Sequence, residues 1–196
     1  SSQDVLEGVR VVELAMFALG PACGAVLGDW GADVVKIVHP RFADPMRGNP
    51  VAGLPTRDDD LSFMWEQLNR NKRSLALDVA TDAGREVLDD LVREADVFVT
   101  NLLPQSRARL RVDPDDLFAV NPGLVYARGS GYGPKGPEAD RPGYDSIAWW
   151  YRGTLGQSAM DLNGADWPTH MIGHGDGMSG MAFAGGICAA LLQFRR

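Results

Sequence analysis

Residues 9–38 read VRVVELAMFALGPACGAVLGDWGADVVKIV. The first seven, VRVVELA, are a short β-branched apolar run that suits a buried strand, and residues 33–38, DVVKIV, are a second. Strand, helix and strand within about thirty residues describe a βαβ unit, which requires a parallel sheet. Gly20, Gly24 and Gly28 recur every four residues between them, so they share one face of the intervening helix. That face lies close on the sheet or on a partner helix, or it admits a ligand to the helix N-terminus. Both readings are open at this point.

The same alternation continues downstream. Residues 39–62 show no periodicity and carry Pro40, Pro45, Pro50 and Pro55, the mark of a long functional loop. Residues 74–79 alternate like a strand. Thr81 or Asp82 caps a helix whose Val87, Leu88, Leu91 and Val92 fall at helical spacing. Residues 97–99 (VFV) form a strand that Asn101 ends. Pro104 opens a helix through Leu110, Pro114 opens another through Val120, and residues 124–127 (LVYA) are a further strand. The fold expected is α/β, a Rossmann-like, mostly parallel sheet flanked by helices. Residues 1–128 hold the sheet. Residues 129–196 add a Gly-rich loop, an aromatic-rich helix over residues 144–155, a GHGDG turn and a long apolar helix that stops abruptly at Arg196.

Composition narrows the function. The chain has 196 residues, 45% of them apolar, with 26 acidic against 19 basic groups and a net charge of −7. This excludes a binder of nucleic-acid backbone, which would be basic. Cys23 and Cys188 stand far apart, without CxxC or Cys/His clustering, which argues against a disulfide framework or a metal site and for a cytoplasmic protein. The apolar stretch of residues 178–194 falls short of about 20 residues and reads as a buried helix rather than a membrane span.

Two groups of residues carry candidate chemistry. Arg41, Arg47, Lys72, Arg73, Arg107, Arg109, Lys135 and Arg141 lie near expected strand ends and loops; they are scattered surface charges or the cradle of a phosphorylated ligand. Neither a G-x-G-x-x-G fingerprint nor a phosphate-binding G-x-x-x-x-G-K-[ST] loop follows the first strand, which argues against a nicotinamide-linked reductase. Asp176, in Gly173-His174-Gly175-Asp176-Gly177, is either a helix cap or a nucleophile. Glycine on both sides uncovers its carboxylate, and the helix dipole would keep it ionised.

Taken in order, LEGVRVVELAMFALGPACGAVLGDWGADVVKI, DPMRG, LNRNKRSLALD, ADVFVTN, NPGLVYARGSGYG and GHGDGMSGMAFAGGICAALL resemble the class III CoA-transferases, a group that includes the α-methylacyl-CoA racemases. The resemblance covers nearly all of the chain. It implies that residues 1–196 are the N-terminal part of the large domain of an interlocked homodimer, with the C-terminal half absent. It further implies CoA transfer between an acyl-CoA and a carboxylate acceptor through a covalent intermediate on Asp176, with Asp145 in support. By position, it places His39, Arg47, Arg73, Leu77, Asn101 and Arg109 against CoA and calls for no metal.

Two departures qualify it. The family's Lys-Val-Glu-x-Pro reads Lys36-Ile37-Val38-His39-Pro40, and Ala18 stands where formyl-CoA transferase carries an acyl-binding glutamine. A larger acyl group than formyl or oxalyl is therefore expected. The racemase alternative needs a His in Gly-His-Asp, where this chain has Gly143-Tyr144-Asp145; a phenol with a pKa near ~10 is a poor base at neutral pH. A CoA-binding piece with little or no turnover of its own is the remaining alternative.

Overall fold

A computed structural model describes residues 4–47, 62–164, 166 and 173–194. The expectations that rest on Pro50, Pro55, Arg195 and Arg196 lie outside these residues. Five strands, β1 (Arg10–Leu14), β2 (Asp33–Val38), β3 (Lys72–Ala76), β4 (Val97–Thr100) and β5 (Val125–Arg128), form one sheet in the order β3-β2-β1-β4-β5. Every pairing is parallel. The chain leaves β1 toward β2 on one side and later returns to β4 on the other. The loops after β1 and β4 therefore diverge, opening a crevice at the carboxyl edge of the sheet.

Helices cover both faces, which is why the strands are continuous apolar runs rather than alternating ones. Val9, Val11, Val34, Val97, Val99 and Ala127 face α1 (Leu19–Asp29) and α7 (His174–Phe194). Val12, Ile37, Phe98 and Leu124 face the layer of α3 (Asp82–Arg93), α4 (Pro104–Leu110) and α5 (Pro114–Phe118). Thr81 caps α3, its hydroxyl accepting from Gly84 N–H at 3.1 Å. The short α2 (Phe63–Asn69) leans on α1 and buries Trp65 and Leu68. Cys23 and Cys188 are both free.

The α1 glycines serve close packing. A Cβ at Gly24 would fall 1.9 Å from Glu13 Oε2, and one at Gly20 would fall 2.6 Å from the Ala15 Cβ. Glu13 on β1 and Lys36 on β2 are 0% and 1% exposed, and the space at Gly24 lets this charged pair sit under α1. Lys36 Nζ donates to Glu13 Oε1 at 2.9 Å, and Lys72 Nζ lies 2.7 Å from Glu13 Oε2. Lys72 is thus a buried structural cation, not a ligand-facing one as its place in the basic group had implied. Burial pulls its ammonium down to about 8, against the pull of Glu13.

Three further expectations need correction. The third strand begins at Lys72 rather than at residue 74, and it is over by Ala76, because its pairing with β2 runs from Val34 to Val38. The aromatic-rich stretch is a π-helix (Ser146–Arg152), followed by a separate α6 (Leu155–Asn163). The last helix starts at His174, so His174, Gly175 and Asp176 lie in its first turn. Nor is that helix buried all round. Gly180, Ala184 and Ile187 are buried, Gly180 against Ala22 of α1, while Met178, Met181, Leu192 and Phe194 are exposed. With 21 residues, α7 is long and apolar enough to cross a membrane by length and composition.

Candidate active site

A cavity of about 410 Å³ opens where the loops after β1 and β4 diverge, and Asp176 lies in its wall. Asp176 is held there by Asp145. The Asp145 carboxylate, itself buried, accepts from Gly173 N–H through Oδ2 and from Asp176 N–H through Oδ1, both at 3.0 Å. It caps α7 from a distance of 31 residues in sequence, satisfying amides that an N-terminal turn leaves without intrahelical partners. Gly175 is required for the arrangement. A Cβ on it would come within 2.2 Å of Trp149 Cγ and 2.4 Å of Asp145 Oδ1. Trp149 is delivered to this contact by the π-helix, a rare element often found at functional sites.

Asp176 is not a cap, and it is not kept as acidic as the helix dipole had implied. Burial pushes its carboxyl up to about 6, and the negative charge of Asp145 adds to the rise. The result is a carboxylate that is ionised at neutral pH but poorly solvated, hence a stronger nucleophile than a surface aspartate.

The opposite wall is the segment 16–19. Phe17 has φ +60°, a left-handed conformation uncommon for a bulky residue, and its ring packs edge-on against Tyr144 at 5.4 Å between centroids. Asn101 faces it with both polar atoms engaged, Oδ1 accepting from Met16 N–H at 3.0 Å and Nδ2 donating to Met16 O at 2.7 Å.

The structure brings Asp145, Asp176 and Asn101 to the cavity. His39 and Leu77 directly follow the ends of β2 and β3. Leu77 N–H donates to Val38 O, and His39 Nε2 lies 3.4 Å from Asp78 Oδ2 while its Nδ1 accepts from Arg41 and Phe42 N–H. Arg47 stacks on Trp65, 4.5 Å from its ring centroid. Arg109 is exposed in the last turn of α4 and does not line the cavity. Arg73 is placed elsewhere: it forks onto Asp33, at 2.8 and 2.6 Å, toward the amino end of the sheet. Its guanidinium is engaged there because Asp33 begins β2 and Arg73 is the second residue of the adjacent β3. Arg107 and Arg128 line the cavity; Arg107 is buried and held by Asp113 at 2.8 Å. Sequence reasoning missed Phe17 and Trp149, whose importance lies in backbone conformations that no residue type announces.

The parallel sheet thus carries Asp176 in a cavity wall at its carboxyl edge, beside the Asp145 that caps α7. The chain belongs to CoA-transferase family III, whose model matches residues 6–196. It is 40% identical over 187 residues to (R)-2-hydroxy-4-methylpentanoate CoA-transferase of Clostridioides difficile, covering 95% of this chain and 46% of that protein. It is 33% identical over 194 residues to cinnamoyl-CoA:phenyllactate CoA-transferase of Clostridium sporogenes, covering 98% and 46%. Among solved structures, a CAIB/BAIF family protein from Brucella suis superposes with a TM-score of 0.80 at 34% identity, over 97% of this chain and 50% of that one. The chain spans about half the length of the curated relatives it matches.

Proposed function

We propose that this chain carries the nucleophile of an acyl-CoA:carboxylate CoA-transferase and that Asp176 is that nucleophile. One observation carries the reading: a partly buried carboxylate, raised to about 6, is fixed in a cavity wall by two backbone amides that grip Asp145. Asp176 attacks the thioester carbonyl of an acyl-CoA, and the C–S bond breaks to give a mixed anhydride and CoA thiolate. The thiolate attacks the aspartyl carbonyl, releasing the first carboxylate and leaving an aspartyl-CoA thioester. The acceptor carboxylate attacks that thioester and expels the thiolate, which takes the acceptor acyl group and regenerates Asp176. Neither a net proton nor a redox equivalent is needed.

Met16, Phe17, Tyr144 and Trp149 give the cavity an apolar lining, and Ala18 adds no polar group. These residues fit branched or aromatic acyl chains better than formyl or oxalyl, in line with the substrates named for the two clostridial relatives. CoA itself lies along the carboxyl edge of the sheet, with His39, Leu77, Arg47 and Arg109 its candidate contacts outside the cavity. The working unit is a homodimer, in which the exposed Met181, Leu192 and Phe194 of α7 gain cover. Racemisation is the weaker reading, because Tyr144 supplies no base and both Asp145 oxygens already accept backbone amides.

The test is mass spectrometry of the protein quenched after mixing with an acyl-CoA panel. A CoA or acyl adduct mapping to Asp176, lost with CoA exchange in Asp176→Asn, is the expected result. Exchange that persists in Asp176→Asn would refute the assignment. Deuterium entering the α-carbon from solvent would instead favour the racemase.

A further inference from the structure

Ala15 and the two cavity-wall residues that follow it, Met16 and Phe17, are each held by a side chain from a different part of the fold. Lys36 Nζ, from β2, donates to Ala15 O at 2.9 Å. Asn101, just after β4, takes both the N–H and the C=O of Met16. Asp44, from the loop after β2, accepts from Phe17 N–H through Oδ1 at 3.1 Å, and the same oxygen accepts from Met46 N–H at 3.0 Å. Its Oδ2 lies 3.3 Å from Lys36 Nζ. Lys36 and Asp44 are buried, so two of the three clamps belong to the charge network beneath α1.

Such an arrangement does more than close a loop. Phe17 occupies a left-handed backbone conformation that costs a bulky residue free energy, and such strain persists only where the surroundings over-determine it. Four hydrogen bonds onto three residues, two of them from buried charged groups, are that over-determination. What they hold in place is the wall opposite Asp176: Met16, and the Phe17 ring seated on Tyr144, next in sequence to the Asp145 that caps α7. From these observations we infer that Lys36, Asp44 and Asn101 are positioning residues that act through Ala15, Met16 and Phe17 to fit the acyl group against Asp176, with Lys36 and Asp44 leaving the affinity for CoA itself unaffected. The inference rests on the reading of this cavity as the acyl site.

The full-length protein tests it by two readouts. In an Asp176→Asn background, where nothing turns over, calorimetric titration compares CoA with 4-methylpentanoyl-CoA. Asp44→Ala is expected to weaken the acyl-CoA about tenfold, the scale at which an apolar pocket discriminates, while CoA binds as before. With Asp176 restored, kcat of Asp44→Ala falls about 100-fold, as misplacement by an ångström does. Asp44→Asn keeps an acceptor for Phe17 N–H but removes one of the two carboxylates that face Lys36. It lowers the melting temperature yet preserves the acyl preference, a separation that a merely structural role would not produce. If Asp44→Ala does not fold, Asn101→Ala, which frees Met16, is expected to lose the same preference.

Folded Asp44→Ala or Asn101→Ala protein that keeps both the acyl preference and kcat would overturn the inference, as would, in Asp44→Ala, a loss of CoA affinity equal to the loss for the acyl-CoA. Failure of the transferase reading shows differently: exchange would survive Asp176→Asn, while the binding comparison would still report whether the clamp shapes the pocket.

Discussion

Asp176 combines a functional asset with a folding cost, and both follow from its surroundings. Burial and Asp145 raise its carboxyl from 3.8 to about 6. An unfolded chain would hold the proton less tightly, so between those pH values the native state binds more protons, and stability falls as pH rises. Above pH 6 the full cost is present; below the unfolded value it vanishes. Asp176→Asn should therefore raise stability by about 1–3 kcal/mol at pH 7–8, after allowing for partial solvent screening, with no gain at pH 3. Chemical denaturation at the two pH values checks this. Activity has the opposite sign, because only the ionised carboxylate attacks: kcat/KM should rise through pH 6 and level off above it. In Asp145→Asn the acid limb should move to lower pH, since one cause of the shift is gone. That variant also leaves one of the two amides without its acceptor, at a cost of about 1–2 kcal/mol. The candidate nucleophile was legible in sequence because glycines flank it ahead of an apolar run. Its protonation was not, since the second carboxylate reaches it only through the fold.

The elements divide in the same way. The α1 glycine spacing and the apolar runs 9–15, 33–38 and 97–99 were enough to foresee a parallel sheet with a helix pressed on it, because both depend on periodicity. Where the sequence misleads, tertiary context has displaced local preference. Lys72 and Arg73 look like a polar approach to a strand, yet pairing with β2 draws both into β3. The stretch 144–155 has aromatic helical character, but it winds as a π-helix and ends at Gly153, whose Cβ would lie 2.2 Å from Trp149 O. That winding presses Trp149 onto the first turn of α7, and Gly175 is the position that tolerates it. Gly175→Ala forces Trp149 or the α7 N-terminus to shift, an overpacking cost of about 1–3 kcal/mol. The accompanying displacement of Asp176 should reduce CoA exchange by about 100-fold. Gly177→Ala is the control two residues further along the same turn, since a Cβ there meets nothing within 4 Å. Equal losses in the two variants, measured by exchange rate and melting temperature, would show that α7 responds to lost glycine flexibility rather than to the Trp149 contact.

Across the molecule, the buried charges tie these parts together. Glu13 and Asp44 face Lys36 and Lys72, two negative against two positive. Lys72 Nζ donates in addition to Pro21 O on α1 and to Leu68 O on α2, each at 2.8 Å. The group spans three strands, two helices and the loop whose Asp44 holds Phe17, so the sheet's carboxyl edge is fixed relative to the helical layer above it. An ionic network of this kind is not by itself a source of stability, because four desolvation penalties stand against its Coulomb gain. Its balance is what matters. Lys72→Met leaves two carboxylates facing one ammonium, an uncompensated buried charge that costs about 3–5 kcal/mol. Adding Glu13→Gln restores neutrality, with Lys36 and Asp44 still paired and the new side-chain amide able to accept from Lys36 through its carbonyl. If charge balance governs, the double variant should lie within about 1–2 kcal/mol of the parent, more stable than Lys72→Met alone. If instead the individual hydrogen bonds govern, the second substitution should destabilise further, and the two losses should add. Urea unfolding of the parent, both single variants and the double separates these outcomes. A neutral double variant that also keeps the acyl preference would mean that the wall beside Asp176 depends on the Lys36–Asp44 half of the network, with Glu13 and Lys72 serving to seat α1 and α2.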